Sequence, residues 1–121
     1  MQRIGDIAVE VRGVGETLLF LHGIGGNARN WAAQLDHFAD RYQAAAWDAR
    51  GYGETGGAVE RFAQFADDAA AVIAALGGRA HVVGLSMGGR IALDLVHRYP
   101  AAVRSLTLAN TSAGSPETAA G

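Results

Sequence analysis

The chain has 121 residues, half of them hydrophobic, with a formal net charge of −2. That is apolar material enough for one domain with one core, and it argues against disorder. The near-neutral charge gives no electrostatic support for a nucleic-acid partner, and the absence of cysteine excludes disulfides and thiolate metal sites.

The opening segment, residues 1–11, lacks the basic start and apolar stretch of a signal peptide. Residues 2–12 read instead as two short strands around Gly5-Asp6, with Ile7, Val9 and Val11 alternating. Thr17 to Leu21 is a continuous apolar run, as in a strand buried on both faces. The glycine-rich loop His22-Gly23-Ile24-Gly25-Gly26 follows, then a short helix from about Asn30 to Phe38. Tyr42 to Trp47 reads as a strand ending at Asp48, and Arg50 to Gly57 as loop. Glu60 to Leu76 carries apolar residues at steps of three or four, the mark of an amphipathic helix, and Gly77-Gly78 stops it. Its apolar stretch, Ala69 to Leu76, is far too short to span a bilayer, so no membrane partner is expected. His81 to Val83 is a short strand, Met87 to Tyr99 a helix ended by Pro100, and Val103 to Ala109 a further strand. Residues 114–121 form a small polar tail expected to fray. Strands that alternate with helices from residue 17 onward predict an α/β fold: a mostly parallel sheet with helices on both faces. A cytoplasmic location is the default expectation.

The sharpest chemical signal is Gly84-Leu85-Ser86-Met87-Gly88-Gly89, which lies where a strand passes into a helix. A serine that exposes its hydroxyl at the carboxyl end of a sheet sits on a sharp, strained turn. The residues two before and two after then come close together, which explains Gly84 and Gly88. The following helix aims its first N–H groups at the site, and Met87 N–H is the natural donor to an oxyanion.

The loop after the first buried strand has two readings. It can supply a second oxyanion donor, from Ile24 N–H. Alternatively, Gly23-x-Gly25-x-x-Ala28 is a dinucleotide fingerprint, and Asp48, 20 residues beyond Ala28 at the end of the next strand, is its ribose acid. Against the second stand the strand pair that precedes the run, the late helix start, and the unexplained glycines around Ser86. No cofactor and no metal are therefore expected.

Together these segments resemble the α/β-hydrolase family. Leu21-His22-Gly23 with Trp31 downstream is similar to its oxyanion loop, and Trp47 to Gly53 to its Asp-x-Arg-Gly-x-Gly loop. Gly84 to Gly89 is similar to its nucleophile elbow, and Val103 to Leu108 to the strand that follows. The resemblance covers about residues 5 to 112 and implies a serine hydrolase that works through an acyl-Ser86 intermediate on a carboxylic ester, a lactone or a related acyl substrate. The wording around Ser86 is similar to enol-lactone hydrolases, though esterases, perhydrolases and C–C bond hydrolases look much the same. A serine at the elbow argues against the relatives that use aspartate there, haloalkane dehalogenases and epoxide hydrolases. Asp48 and Arg50 are expected to fix their loop, and Trp31 to pack beneath the oxyanion loop or line the acyl pocket.

In this family the triad acid and histidine follow the serine, in that order. After Ser86 the chain offers only Asp94, His97 and Glu117. His97 lies eleven residues on, roughly 16 Å along a helix, and cannot reach. His81 lies down the preceding strand, and His37 ends another helix; His22 alone sits near the site, as a loop-fixing residue. The triad acid and base are thus expected to be absent from the 121 residues, which read as a hydrolase core truncated after about the sixth strand and inactive alone. The alternative is a non-catalytic hydrolase-like binding module. The strand Val103–Ala109, left at a sheet edge, is expected to promote self-association.

Overall fold

The computed structural model describes residues 1–110; the tail expected to fray, residues 114–121, lies outside them. Six strands make one sheet: β1 (Gln2–Ile4), β2 (Ile7–Arg12), β3 (Glu16–Leu21), β4 (Tyr42–Trp47), β5 (Ala80–Leu85) and β6 (Val103–Ala109). Their order across the sheet is β1-β2-β4-β3-β5-β6. The β1–β2 and β2–β4 pairs are antiparallel, and the β3–β4, β3–β5 and β5–β6 pairs are parallel. The sheet is thus mixed but mostly parallel, as the alternation of elements predicts.

Helices cover both faces. Leu19, Leu21, Ala45, Trp47 and Val82 point to the side where α2 (Ala63–Ala75) and α3 (Met87–Arg98) pack through Phe65, Ala69, Val72, Ile73, Ile91 and Leu95. The residues between them, Leu18, Phe20, Ala44 and Ala46, point to the other side. There they meet Trp31, from a 3-10 turn over Ala28–Trp31, and Leu35 of α1 (Ala32–Phe38). This two-sided burial is why β3 reads as an uninterrupted apolar run rather than an alternation.

The helix boundaries differ from the periodic pattern for local reasons. α2 starts at Ala63 rather than Glu60 because Gln64 folds back, its Oε1 accepting the N–H groups of Glu60 (2.6 Å) and Arg61 (3.0 Å). The first helix is delayed to Ala32 because Asn27 and Asn30 cap the 3-10 turn before it. Tyr99 leaves α3 with φ −133° and ψ 60°, outside the α region that the residue before a proline avoids.

The topology also fixes where a site can form. From β3 the chain crosses to β4 by way of α1, on one face. From β5 it crosses to β6 by way of α3, on the other. β3 and β5 are neighbours, so their carboxyl ends send loops to opposite sides and leave a crevice between them. Ligands of open α/β sheets bind at such a switch point.

Candidate active site

Ser86 stands at this switch point. It follows β5 directly, precedes the first residue of α3, and holds φ +54° and ψ −115°. A non-glycine residue at positive φ outside a turn of small polar residues is strained, of order 1–3 kcal/mol, and persists only where its surroundings over-determine it. Here they do. A Cβ on Gly84 would lie 2.5 Å from Gly88 O and 2.6 Å from Gly89 Cα, and a Cβ on Gly88 would collide with the carbonyl of Leu21. Both glycines therefore permit a close approach, Gly84 of the strand to the helix and Gly88 of the helix to β3. As the first residue of α3, Met87 has an N–H with no intrahelical acceptor.

The loop after β3 meets this turn. A Cβ on Gly23 would sit 3.2 Å from Ser86 Cβ and 3.8 Å from its Oγ, so the Gly23 backbone lies against the serine side chain. Ile24, next along, is 79% exposed. Trp31 sits further in, stacked on Phe20 with ring centroids 4.8 Å apart, in the core beneath the loop.

His22 is fully buried and both of its ring nitrogens are engaged. Ala49 N–H donates to Nε2 at 3.1 Å, so Nδ1 carries the hydrogen and donates it to Gly23 O at 2.8 Å. Burial lowers the His22 pKa, against the raising effects of the bond to Gly23 and the nearby charge of Asp48. A neutral imidazole with its one lone pair already taken has nothing to offer a serine hydroxyl; it fastens the β3 loop to the β4 loop.

Asp48 does similar work. Its Oδ1 accepts Ala28 N–H and its Oδ2 accepts Glu54 N–H, each at 2.8 Å, and the residue is only 3% exposed. Both carboxylate oxygens are buried and bonded to loop backbone rather than presented to a ribose, and the glycine run enters a 3-10 turn rather than an α-helix N-terminus. The dinucleotide reading has no structural footing. Asp48 and Arg50 also fix the loop separately rather than as a pair. Arg50 reaches α2, where Nε and Nη2 each bond one oxygen of Asp68 at 2.9 Å.

Tyr52 is the neighbour that sequence reading missed. Its ring lies 5.0 Å from that of His22, and its hydroxyl donates to Met87 Sδ at 3.6 Å. Three loops thus converge on one spot: residues 22–26, residues 50–57 and the turn at Ser86. The other histidines do not join them. His37 and His97 are exposed on α1 and α3, and His81 lies five residues before Ser86 on β5, about 16 Å down the strand. Among the described residues no three His, Asp or Glu side chains are grouped to hold a metal ion, and no helix is long and apolar enough to cross a membrane.

Residues 16–121 match the family model for the alpha/beta hydrolase fold. The chain belongs to the α/β-hydrolase family. The putative carbamate hydrolase RutD of Azorhizobium caulinodans is 36% identical over 108 residues, which are 87% of this chain and 41% of that relative. The solved structure of a thermophilic esterase from Thermogutta terrifontis superposes with a TM-score of 0.83 at 33% identity, over 92% of this chain and 43% of that one. The N-acyl homoserine lactonase AidH superposes equally well, with a TM-score of 0.83 at 30% identity over 92% and 43% of the two chains. The chain therefore spans about two-fifths of the length of the relatives it matches. These relatives are named as a hydrolase, an esterase and a lactonase.

Proposed function

We propose that the protein is a serine hydrolase that cleaves a small carboxylic ester, lactone or related acyl substrate through an acyl-Ser86 intermediate. The observation that carries this reading is the strained φ of +54° at Ser86, between β5 and α3 and against Gly23. Strain of that kind presents a hydroxyl at the mouth of the switch point and has no evident packing purpose. In this reading the substrate carbonyl lies between the two loops, and its developing negative charge is held by Met87 N–H and Ile24 N–H. Neither N–H depends on a titrating side chain, so the donors are in place before substrate arrives. The relatives named for carbamate, ester and lactone substrates support the class, since each of those substrates presents an acyl carbon bonded to a heteroatom.

A serine also needs a base to take its proton, and an acid to orient that base. None of the four histidines supplies it, for the reasons of distance and bonding given above. We therefore assign the base and its acid to sequence beyond these residues, and expect the 121-residue chain alone to be nearly inactive. No cofactor is needed. The outer edge of β6, last in the sheet among the described residues, is the surface proposed for self-association.

The test is turnover of p-nitrophenyl esters by the product of the full reading frame that contains this chain. Ser86→Ala should lower kcat by at least about a thousandfold and abolish labelling by a fluorophosphonate. Turnover that survives the substitution would refute the assignment.

A further inference from the structure

A second constellation lies at the opposite end of the sheet, where the strands begin. Ala80 of β5 pairs with Val103 of β6, but the next residue, His81, pairs with Ser105. Arg104 is the extra residue of a bulge. Bulges re-aim side chains, and this one turns Ser105 and Arg104 toward the same neighbours. Ser105 Oγ lies 2.7 Å from His81 Nδ1, and His81 Nε2 lies 2.8 Å from Glu16 Oε1 at the start of β3. Arg104 Nη1 stands 3.8 Å from the other oxygen of Glu16. The edge of the Tyr42 ring braces the imidazole, with centroids 5.9 Å apart. The bond from His81, and then the charge of Arg104, hold the Glu16 carboxyl below its usual pKa, so it is ionised.

The order of these contacts matters chemically. A carboxylate accepts the Nε2 hydrogen, which leaves Nδ1 as the acceptor for the Ser105 hydroxyl. That is a nucleophile, a base and a group that orients the base, with the two imidazole nitrogens exchanged relative to serine proteases. We propose that Ser105 is a second acyl-accepting nucleophile of this chain, served by His81 and Glu16, which takes acyl groups from small activated carboxylic esters. In the step, Ser105 Oγ bonds to the acyl carbon while its proton passes to His81 Nδ1. The bond from the acyl carbon to the aryl oxygen breaks, and the aryloxide leaves with the electron pair. The imidazolium then returns its proton to water. The Arg104 guanidinium, 3.8 Å from Glu16 Oε2, adds positive charge to the cluster. The cluster is open, with the Glu16 side chain 54% and the His81 side chain 28% exposed, so it suits small esters with good leaving groups rather than a bound substrate.

The experiment uses the Ser86→Ala chain with p-nitrophenyl acetate, followed by release of p-nitrophenolate and by peptide mapping of the acetylated product. All ten basic residues counted as Lys or Arg are arginine, so no lysine competes and the N-terminal amine is the one rival amine. The expected result is one acetyl on Ser105, absent in Ser105→Ala. Its rate of formation should fall tenfold or more in His81→Gln and threefold or more in Glu16→Gln. If the His81 variant folds poorly, the rate in Glu16→Gln, a change at an exposed side chain, makes the same comparison. Acetyl found at the N-terminus alone would overturn the proposal. So would acetylation of Ser105 at a rate indifferent to His81 and Glu16, which would mark it as an ordinary surface hydroxyl. Because Ser86 is removed throughout, the outcome is independent of its assignment.

Discussion

Replacement of Asp48 tests whether that carboxylate is a structural fastening. It accepts two backbone N–H groups at 2.8 Å. Hydrogen bonds to a charged group contribute about 1.5–3 kcal/mol net, and a buried donor left without a partner costs about 1–3 kcal/mol. Ala28 is 2% exposed, so Asp48→Ala strands its N–H away from water. Glu54 is exposed, and water can take over its N–H. Counting about 2 kcal/mol for the buried bond and about 1.5 kcal/mol for the exposed one gives a loss of about 3–4 kcal/mol. With a urea m-value of ~1.5–2 kcal/mol per molar, the unfolding midpoint should fall by about 2 M. Asp48→Asn keeps one acceptor for Ala28 but turns an amide donor toward Glu54 N–H, and should lose about half as much. Trp47, fully buried beside Asp48, reports the transition by fluorescence. A Cβ on Gly53 would collide with the same carboxylate, so Gly53→Ala should damage the same contact, and the two changes together should cost less than their sum. A midpoint for Asp48→Ala within about 0.3 M of the unaltered protein, at constant m, would refute the reasoning.

His22 sets a pH dependence. Its pKa is lowered in the fold, so the unfolded chain binds its proton first, and the stability it contributes is complete above about pH 6.5 and drains away as pH falls below it. His22→Gln should flatten that slope in urea midpoints taken between pH 7 and pH 5; an unchanged slope would show that other groups carry it. The β6 edge makes a separate prediction: the 121-residue chain should self-associate at high concentration, and Leu108→Lys should return it toward monomer, because a charge on an edge strand opposes pairing. Light scattering that finds the unaltered chain monomeric at about 100 µM would remove the edge from consideration.

Apolar periodicity made most elements legible, because a strand buried on two faces and a helix buried on one leave different patterns. The turn at Ser86 was legible for a narrower reason. It is a local object, built from residues 84–88, and its steric demand for glycine is written within five positions. Contacts made across the sheet were not legible. The partner of Arg50 is Asp68 on α2, and the partners of Asp48 are backbone groups at positions 28 and 54. No local spacing encodes such pairings. The bulge at Arg104 is the clearest case. Residues 103–109 read simply as a strand, and the slip of one position that brings Ser105 to His81 depends on how β6 is laid against β5.

The distinction between local and non-local features also bears on why the reaction class is easier to read than the substrate. The donors proposed for the oxyanion, at Met87 and Ile24, are backbone groups. Gly84 and Gly88 act through the side chains they lack. Asp48 and His22 hold backbone N–H groups in place rather than facing the crevice. In the proposed reaction, nearly everything aimed at the acyl carbonyl is therefore main chain, and main-chain geometry is indifferent to what the acyl group or the leaving group carries. That accounts for one frame shared by relatives named for a carbamate, an ester and a lactone. Discrimination among such substrates has to come from side chains that touch the rest of the molecule. Ile24, 79% exposed beside its proposed N–H donor, is one such side chain among the described residues.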